Sequence, residues 1–325
     1  MSFRVLVTIP WFKDRPVPEF ERLRAEGCDI LLNSQERAYD EAELIEAIPG
    51  IDATIAGSEP YNDNTLAAAT SLKVIARVGV GYDMIDVEAA TRHHVPVAMA
   101  FGTNHEAVAD HAFALLAAAC NQLPTYHQQI VNGGWGARFH RSLWQGTIGI
   151  IGLGRIGRAL ARRCAGFEMR ILAHDIALDS GYAEANGIEM VDLETLLKES
   201  DFVSVNAPHT PLTDKLINAE RLALMKPTAY LVNTARGGLV DEADLTEALR
   251  ARRIAGAGLD VMAVEPLPAG SALRELDNVL LTPHCAGVSD KAVTMMLERC
   301  IDSVLAIKSG GAPPRELLLN PEVLD

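Results

Sequence analysis

Aromatic residues make up only 5% of the 325-residue sequence, and basic residues are also few, 29 Lys and Arg against 43 Asp and Glu. The net charge of −14 leaves no basic face for neutralising phosphates, and the scarce aromatics leave no stacking platform for bases. Nucleic acid is therefore excluded as a partner. Cysteine is sparse as well. Cys28, Cys120, Cys164, Cys285 and Cys300 are odd in number, irregularly spaced and free of any C-x-x-C. That pattern excludes a disulfide framework or a zinc knuckle and suits the reducing cytoplasm. Long hydrophobic runs are missing too. The most apolar helical stretch, 107–120, carries Asp110 and His111 and is too short to span a bilayer. Residues 1–12 lack the extended apolar segment and small-residue cleavage site of a secretory signal, so none is expected. His93-His94, and His105 with His111, have no third ligand at metal spacing; they are read as solvated or capping histidines, and no metal is expected.

What the chain does have is apolar residues, at 49%, enough for sizeable cores, and a length that suggests about two domains. Short apolar runs alternate with helical patterns. Strands are expected over 4–9, 53–56 and 73–77, with helices over 19–26, 41–47 and 65–69. A second series of strands is expected over 147–151, 169–174, 202–205, 229–233, 255–260 and 279–281, with helices over 156–165, 193–199, 219–224 and 242–250. This alternation predicts an α/β chain of right-handed βαβ units, with two mostly parallel sheets each covered on both faces. A last helix, 291–307, has no strand after it and is expected to pack back on the first domain, making that domain discontinuous.

The strongest local signal is Gly152-Leu153-Gly154-Arg155-Ile156-Gly157, between an expected strand and an expected helix. In that context Gly152 permits the tight turn, Gly154 lets a pyrophosphate reach the backbone, and Gly157 lets helix and strand pack closely. Amides at the helix start, including those of Arg155 and Ile156, would then hold the phosphates. Asp175 closes the next strand, where a carboxylate can accept both adenosine ribose hydroxyls and repel the 2′-phosphate of NADP. No Arg follows it in Ile176-Ala177-Leu178. The expected cofactor is NAD.

Chemistry in a dinucleotide-binding sheet lies at the carboxyl ends of its strands. Three residues stand just past such ends: Arg236, Glu265 and His284. A planar, always charged guanidinium suits the carboxylate and carbonyl oxygen of a 2-oxo acid. A histidine can give a proton to the forming alkoxide, and a neighbouring carboxylate favours its imidazolium form. Cys285 adjoins His284, but neighbouring residues point to opposite sides, so a shared-proton thiol nucleophile is not expected.

On these residues the chain resembles the D-isomer-specific 2-hydroxyacid dehydrogenase family, which includes phosphoglycerate dehydrogenases and glyoxylate/hydroxypyruvate reductases. The likeness is carried by Gly152–Gly157, by Asn233-Thr234-Ala235-Arg236-Gly237-Gly238, by Gly258-Leu259-Asp260-Val261 and by Thr282-Pro283-His284. It implies a Rossmann NAD-binding domain, 102–287, and a flavodoxin-like substrate domain, 1–101 with 288–325, completed by the C-terminal helix. It also implies Arg236, Glu265 and His284 as catalytic residues and Asp260 near the nicotinamide carboxamide. Thr234, Ala235, Pro208, Thr213, His284 and Gly287 would line the cofactor. Val78 and Gly79, with Arg236 and His284, would bind substrate, the 78–81 loop gripping its carboxylate; Gly79 and Gly81 expose amides suited to an anion. The domains would hinge near 100–104 and 286–289.

The resemblance further implies a homodimer, with an aromatic arm around Trp135, Arg138, Phe139 and His140 at the contact. No regulatory C-terminal domain is expected after Asp325. The expected reaction joins a small 2-oxo acid, hydroxypyruvate/glyoxylate-like or 3-phosphoglycerate-like, to its D-2-hydroxy acid. Glu59, in Ala56-Gly57-Ser58-Glu59-Pro60, is expected to repel a phosphate if it faces the pocket. Asn206-Ala207-Pro208-His209 departs from the usual His-x-Pro-Leu on the adenine side. Formate oxidation is disfavoured because such enzymes pair the histidine with Gln. The alternative function is an NAD(H)-sensing, co-repressor-like protein without turnover.

Overall fold

The computed structural model describes residues 2–14, 16–137, 139–177 and 179–325. Met1, and Arg138 and Leu178 of the segments singled out above, lie outside the described residues. The chain divides into two compact units, one formed by residues up to Asn104 together with Val288–Asp325 and the other by His105–Gly287.

The first unit begins with β1 (Phe3–Val7), α1 (Phe20–Ala25), β2 (Cys28–Leu32), α2 (Glu41–Ala47) and β3 (Ala53–Ala56). It continues through α3 (Asp63–Ala68), β4 (Val74–Arg77), α4 (Val87–Arg92) and β5 (Val97–Met99). Its five strands are all parallel, in the order β2-β1-β3-β4-β5, the flavodoxin-like order. Central strands such as β3 are buried at every residue, as a sheet covered on both faces requires. Helix starts are set by side chains: Asp40 and Glu43 form a reciprocal capping box on α2, and Asn62 and Asp86 cap α3 and α4.

The second unit opens with α5 (His105–Cys120) and α6 (Leu123–Val131), then β6 (Thr147–Ile151), α7 (Arg155–Ala165), β7 (Arg170–His174), α8 (Ser180–Ala185) and β8 (Ile188–Met190). Next come α9 (Leu193–Glu199), β9 (Phe202–Val205), α10 (Ala219–Leu224), β10 (Tyr230–Asn233), α11 (Glu242–Arg250), β11 (Gly256–Leu259) and β12 (Val279–Leu281). Seven parallel strands run β12-β11-β10-β9-β6-β7-β8. From β6 outward this is the Rossmann order, and strand order reverses between β6 and β9. Residues of α5 and α7 build the core on one face, and residues of α9, α10 and α11 the core on the other.

The chain then returns to the first unit as α12 (Asp290–Lys308), which packs on β3, β4 and β5. Beyond it Leu318 bridges to Ala98, and the buried Asn320 accepts the Val97 N–H at 2.8 Å and donates to the Val95 carbonyl at 3.0 Å.

Three strands were not expected from the sequence: β2, β5 and β8. All three are sheet edges. β2 mixes Asp29 into its apolar residues, β8 contains Glu189, and β5 is three residues long. An edge strand needs neither a long nor a continuously apolar run, so the signature of a buried strand is missing.

Candidate functional site

The glycine-rich turn follows β6 at the point where strand order reverses. Gly152 holds φ +93°, a backbone state L residues avoid, and its amide donates to the His174 carbonyl at 2.8 Å. A Cβ on Gly157 would lie 2.1 Å from the Gly152 carbonyl oxygen, so only glycine lets α7 approach the turn. Gly154 is the N-cap of α7 without a side-chain cap, and a Cβ there would meet nothing within 4 Å. Arg155, Ile156 and Gly157 supply first-turn amides, which have no carbonyl partner inside the helix. The turn is thus an open cradle lined by donors and suited to an anion. Asp175 is fastened to it: one carboxylate oxygen accepts the Leu153 N–H at 2.6 Å, the other the Ala177 N–H at 2.9 Å.

Arg236, Glu265 and His284 lie after β10, β11 and β12, neighbours in the sheet. His284 Nδ1 and Glu265 Oε2 are 2.6 Å apart, and the other Glu265 oxygen accepts the Met262 N–H at 3.0 Å. Burial alone would raise the Glu265 carboxyl. The bonds from His284 and Met262, with the charge of Arg236, outweigh it and hold the group below the ordinary carboxylate range. The His284 side chain is 49% exposed, and Arg236 donates to the Ala235 carbonyl at 2.7 Å. His284 itself adopts φ +51°, a left-handed state that costs a non-glycine residue about 1–3 kcal/mol and recurs at functional sites.

Asp260 holds that loop in place. Its side chain is fully buried. It accepts the Thr282 hydroxyl at 2.6 Å, the Cys285 N–H at 3.0 Å and the Ala286 N–H at 2.9 Å, while its own carbonyl accepts the His284 N–H at 2.7 Å. Burial opposes ionisation here too, but these donors together with His111 hold the carboxyl far below its ordinary range. The Cys285 thiol is pushed up by burial and by Asp260. It points to Asp260 at 3.6 Å, while the His284 ring pairs with Glu265.

His111 is a half-buried, paired side chain rather than the solvated or capping histidine expected from the sequence. Its Nε2 lies 3.0 Å from Thr282 Oγ1 and 3.4 Å from Asp260 Oδ1. Ligand atoms of His111, Asp260 and Cys285 fall within 4.8 Å of one another, a grouping that spacing along the sequence did not reveal. The only local signal was a histidine within a largely apolar stretch of α5, next to Asp110.

Other expected cofactor residues lie on the loops around the turn. Thr234 Oγ1, past the end of β10, is buried without a hydrogen-bond partner, an orphan that a bound polar group would satisfy. Ala235 donates its amide to Asn233 Oδ1. After β9, Thr213 donates to the Pro208 carbonyl at 2.7 Å and accepts the Thr210 N–H at 2.8 Å. Gly287 ends the unit. Open cradle, fastened acid and orphan hydroxyl fit a dinucleotide.

In the first unit, Val78 is pinned to Ala56 through its amide, and Gly79 has φ +149° with the Arg77 guanidinium 3.1 Å from where its Cβ would be. Glu59 differs from expectation. It is 1% exposed, accepting the Thr8 hydroxyl at 2.6 Å and the Gly57 N–H at 3.0 Å. A carboxylate so placed is not presented to a pocket, and the argument it offered against phosphorylated substrates falls.

Comparison with known proteins agrees with this geometry. The NAD-binding domain of D-isomer specific 2-hydroxyacid dehydrogenases matches residues 113–286. A glyoxylate reductase of Korarchaeum cryptofilum is 39% identical over 100% of this chain and 98% of its own. A D-3-phosphoglycerate dehydrogenase of Synechocystis is 37% identical over 92% of this chain but only 56% of its own. The D-lactate dehydrogenase of Aquifex aeolicus, solved with NAD and lactic acid, superposes with a TM-score of 0.84 at 26% identity, covering 97% of this chain and 98% of that one. The chain belongs to the D-isomer specific 2-hydroxyacid dehydrogenase family.

Proposed function

We propose that the protein reduces a small 2-oxo acid with NADH, or oxidises the matching D-2-hydroxy acid with NAD, and that Arg236, Glu265 and His284 carry the chemistry. The observation that carries this reading is the 2.6 Å bond between His284 Nδ1 and Glu265 Oε2 on a half-exposed ring at a strand end. An ionised Glu265 accepts the Nδ1 proton and thereby fixes the tautomer. Nε2 is then the atom that works: as N–H in the imidazolium it gives a proton to the alkoxide, and as a lone pair it takes one from the hydroxyl. A positioned acid–base of this kind contributes about 10²–10⁴-fold.

Arg236 binds the substrate carboxylate and carbonyl oxygen, and its fixed charge stabilises the alkoxide as it forms. Val78 and Gly79 are the substrate-binding residues proposed in the first unit; the Val78 amide is bonded to the Ala56 carbonyl, so Gly79 supplies the amide suited to an anion. The dinucleotide, when bound, supplies or accepts the hydride at its nicotinamide ring. Gly152, Gly154, Arg155, Ile156 and Gly157 would hold its pyrophosphate, Asp175 its adenosine ribose, and Pro208, Thr213, Thr234, Ala235, Asp260 and Gly287 the remainder. Both Asp175 oxygens are held beside the turn, which supports NAD over NADP.

Glyoxylate or hydroxypyruvate is the favoured substrate, because the match to the Korarchaeum glyoxylate reductase runs the length of both chains. Two exposed aromatic residues, Trp135 at 92% and Phe139 at 99%, support a homodimer, since apolar surface gathered on one face marks an association site. All five thiols are free, which supports the cytoplasm. Among the described residues no helix is long and apolar enough to cross a membrane.

The test is NADH oxidation by purified protein over a panel of 2-oxo acids, phosphorylated and unphosphorylated. Turnover of glyoxylate or hydroxypyruvate is expected. NADH binding without oxidation by any of them would replace the reading with an NAD(H) sensor.

A further inference from the structure

We propose that His111, on α5, is a positioning residue for this reaction: through Thr282 and Asp260 it locks the loop that presents His284. The inference rests on the dehydrogenase reading above and extends it to a residue that touches neither His284 nor Glu265.

Thr282 has one hydroxyl proton, and the 2.6 Å bond to Asp260 takes it. His111 Nε2, 3.0 Å from the same oxygen, must then be the donor. The order of donation is His111 to Thr282 to Asp260, with His111 also close enough to share its proton with Asp260 Oδ1 at 3.4 Å. Asp260 in turn takes the amides of Cys285 and Ala286 on its side chain and that of His284 on its carbonyl. His284 therefore sits between anchored neighbours, and those anchors offset the cost of its left-handed backbone. His111 is the member of the set that reaches in from a helix, so it ties the loop to the packed face of the sheet rather than to the loop itself.

The closeness of His111, Asp260 and Cys285 could suggest a metal site. Both Asp260 oxygens, however, are already taken up by hydrogen-bond donors, and the geometry points to a clamp.

Three substitutions of His111 and one of Thr282 test it, with thermal melting to confirm folding. In glutamine the side-chain nitrogen stands as many bonds from Cβ as histidine Nε2 and can donate to Thr282; in asparagine it is one bond short. His111→Ala and His111→Asn are expected to lower kcat on the order of tenfold to a hundredfold, the scale of a small misplacement of a reacting group. NADH affinity should change far less. His111→Gln should recover most of kcat. Adding His111→Ala to Thr282→Val should cost little beyond Thr282→Val alone, because His111 acts through that hydroxyl. A helix-packing role alone would lower Tm in all three variants and leave kcat per folded molecule unchanged, which would overturn the proposal, as would glutamine doing no better than asparagine.

The His284 Cε1–H proton resonance, assigned by its loss in His284→Ala, gives a readout independent of turnover. It should move in His111→Ala. If wild type oxidises NADH with no 2-oxo acid and the resonance still moves, the clamp stands and the dehydrogenase reading fails. If wild type is active and neither kcat nor the resonance responds, the clamp fails alone.

Discussion

Two loops at the ends of parallel strands in the same sheet are built on opposite principles. The turn after β6 works by leaving side chains out: Gly152 twists, Gly157 admits α7, and Gly154 opens a space lined by backbone amides. The loop after β12 works by side chains put in. A buried carboxylate, a hydroxyl and an imidazole from α5 converge on residues 282–286 and force His284 into a conformation it would otherwise avoid. A surface that holds a fixed anion can be made of local backbone. One that must aim a proton at a particular atom needs support from several directions.

Breaking each loop separately should therefore give opposite phenotypes. The largest effect is expected from His284→Ala, which should cut turnover about 10²–10⁴-fold while NADH fluorescence titration shows binding retained; near-wild-type turnover would remove His284 as the proton donor. Gly157→Val should do the reverse at the other loop. Its Cβ would lie 2.1 Å from the Gly152 carbonyl, so α7 must shift and NADH binding should be lost in the same titration.

Asp175→Ala sharpens the comparison by removing a carboxylate fastened to the turn. The NADH to NADPH ratio of kcat/KM should fall by roughly tenfold, the worth of about 1.4 kcal/mol of lost discrimination, as expected if a ribose contact and a phosphate repulsion disappear together; an unchanged ratio would place the acid elsewhere.

Asp260→Asn probes the second loop by stability. The folded carboxyl is held far below its unfolded value, so its contribution is fully present above about pH 4 and is lost as pH falls through the depressed folded value. The Tm gap between wild type and Asp260→Asn should be widest near neutrality and narrow in acid; a gap that grows in acid would contradict the sign. Smallest is Trp135→Ala, outside both loops, which should weaken self-association at low protein concentration in sedimentation velocity without altering NADH affinity.

The same contrast decides what the sequence could disclose. The β6 turn is written in six consecutive residues, each glycine having a steric reason of its own. Arg236, Glu265 and His284 were legible because strand–helix alternation located the strand ends. His111 was not, since its partners lie 171 and 149 positions away, at Thr282 and Asp260, and no local pattern encodes which face of α5 meets β11 and β12. Glu59 failed for a related reason: its charge was visible but its direction was not, and pairing with Thr8 turned it inward. The strands that escaped notice were edges: β2 and β8 carry a charged residue, and β5 is three residues long.

The route of the chain through the first unit carries a consequence for biosynthesis. α12 and the segment around Asn320 cover and stitch β5 only after the whole of His105–Gly287 has been made. At about 5–20 residues per second the ribosome imposes a delay of roughly 10–40 s. During it the nascent five-stranded sheet has an apolar flank still uncovered, and a chaperone has that interval in which to shield it.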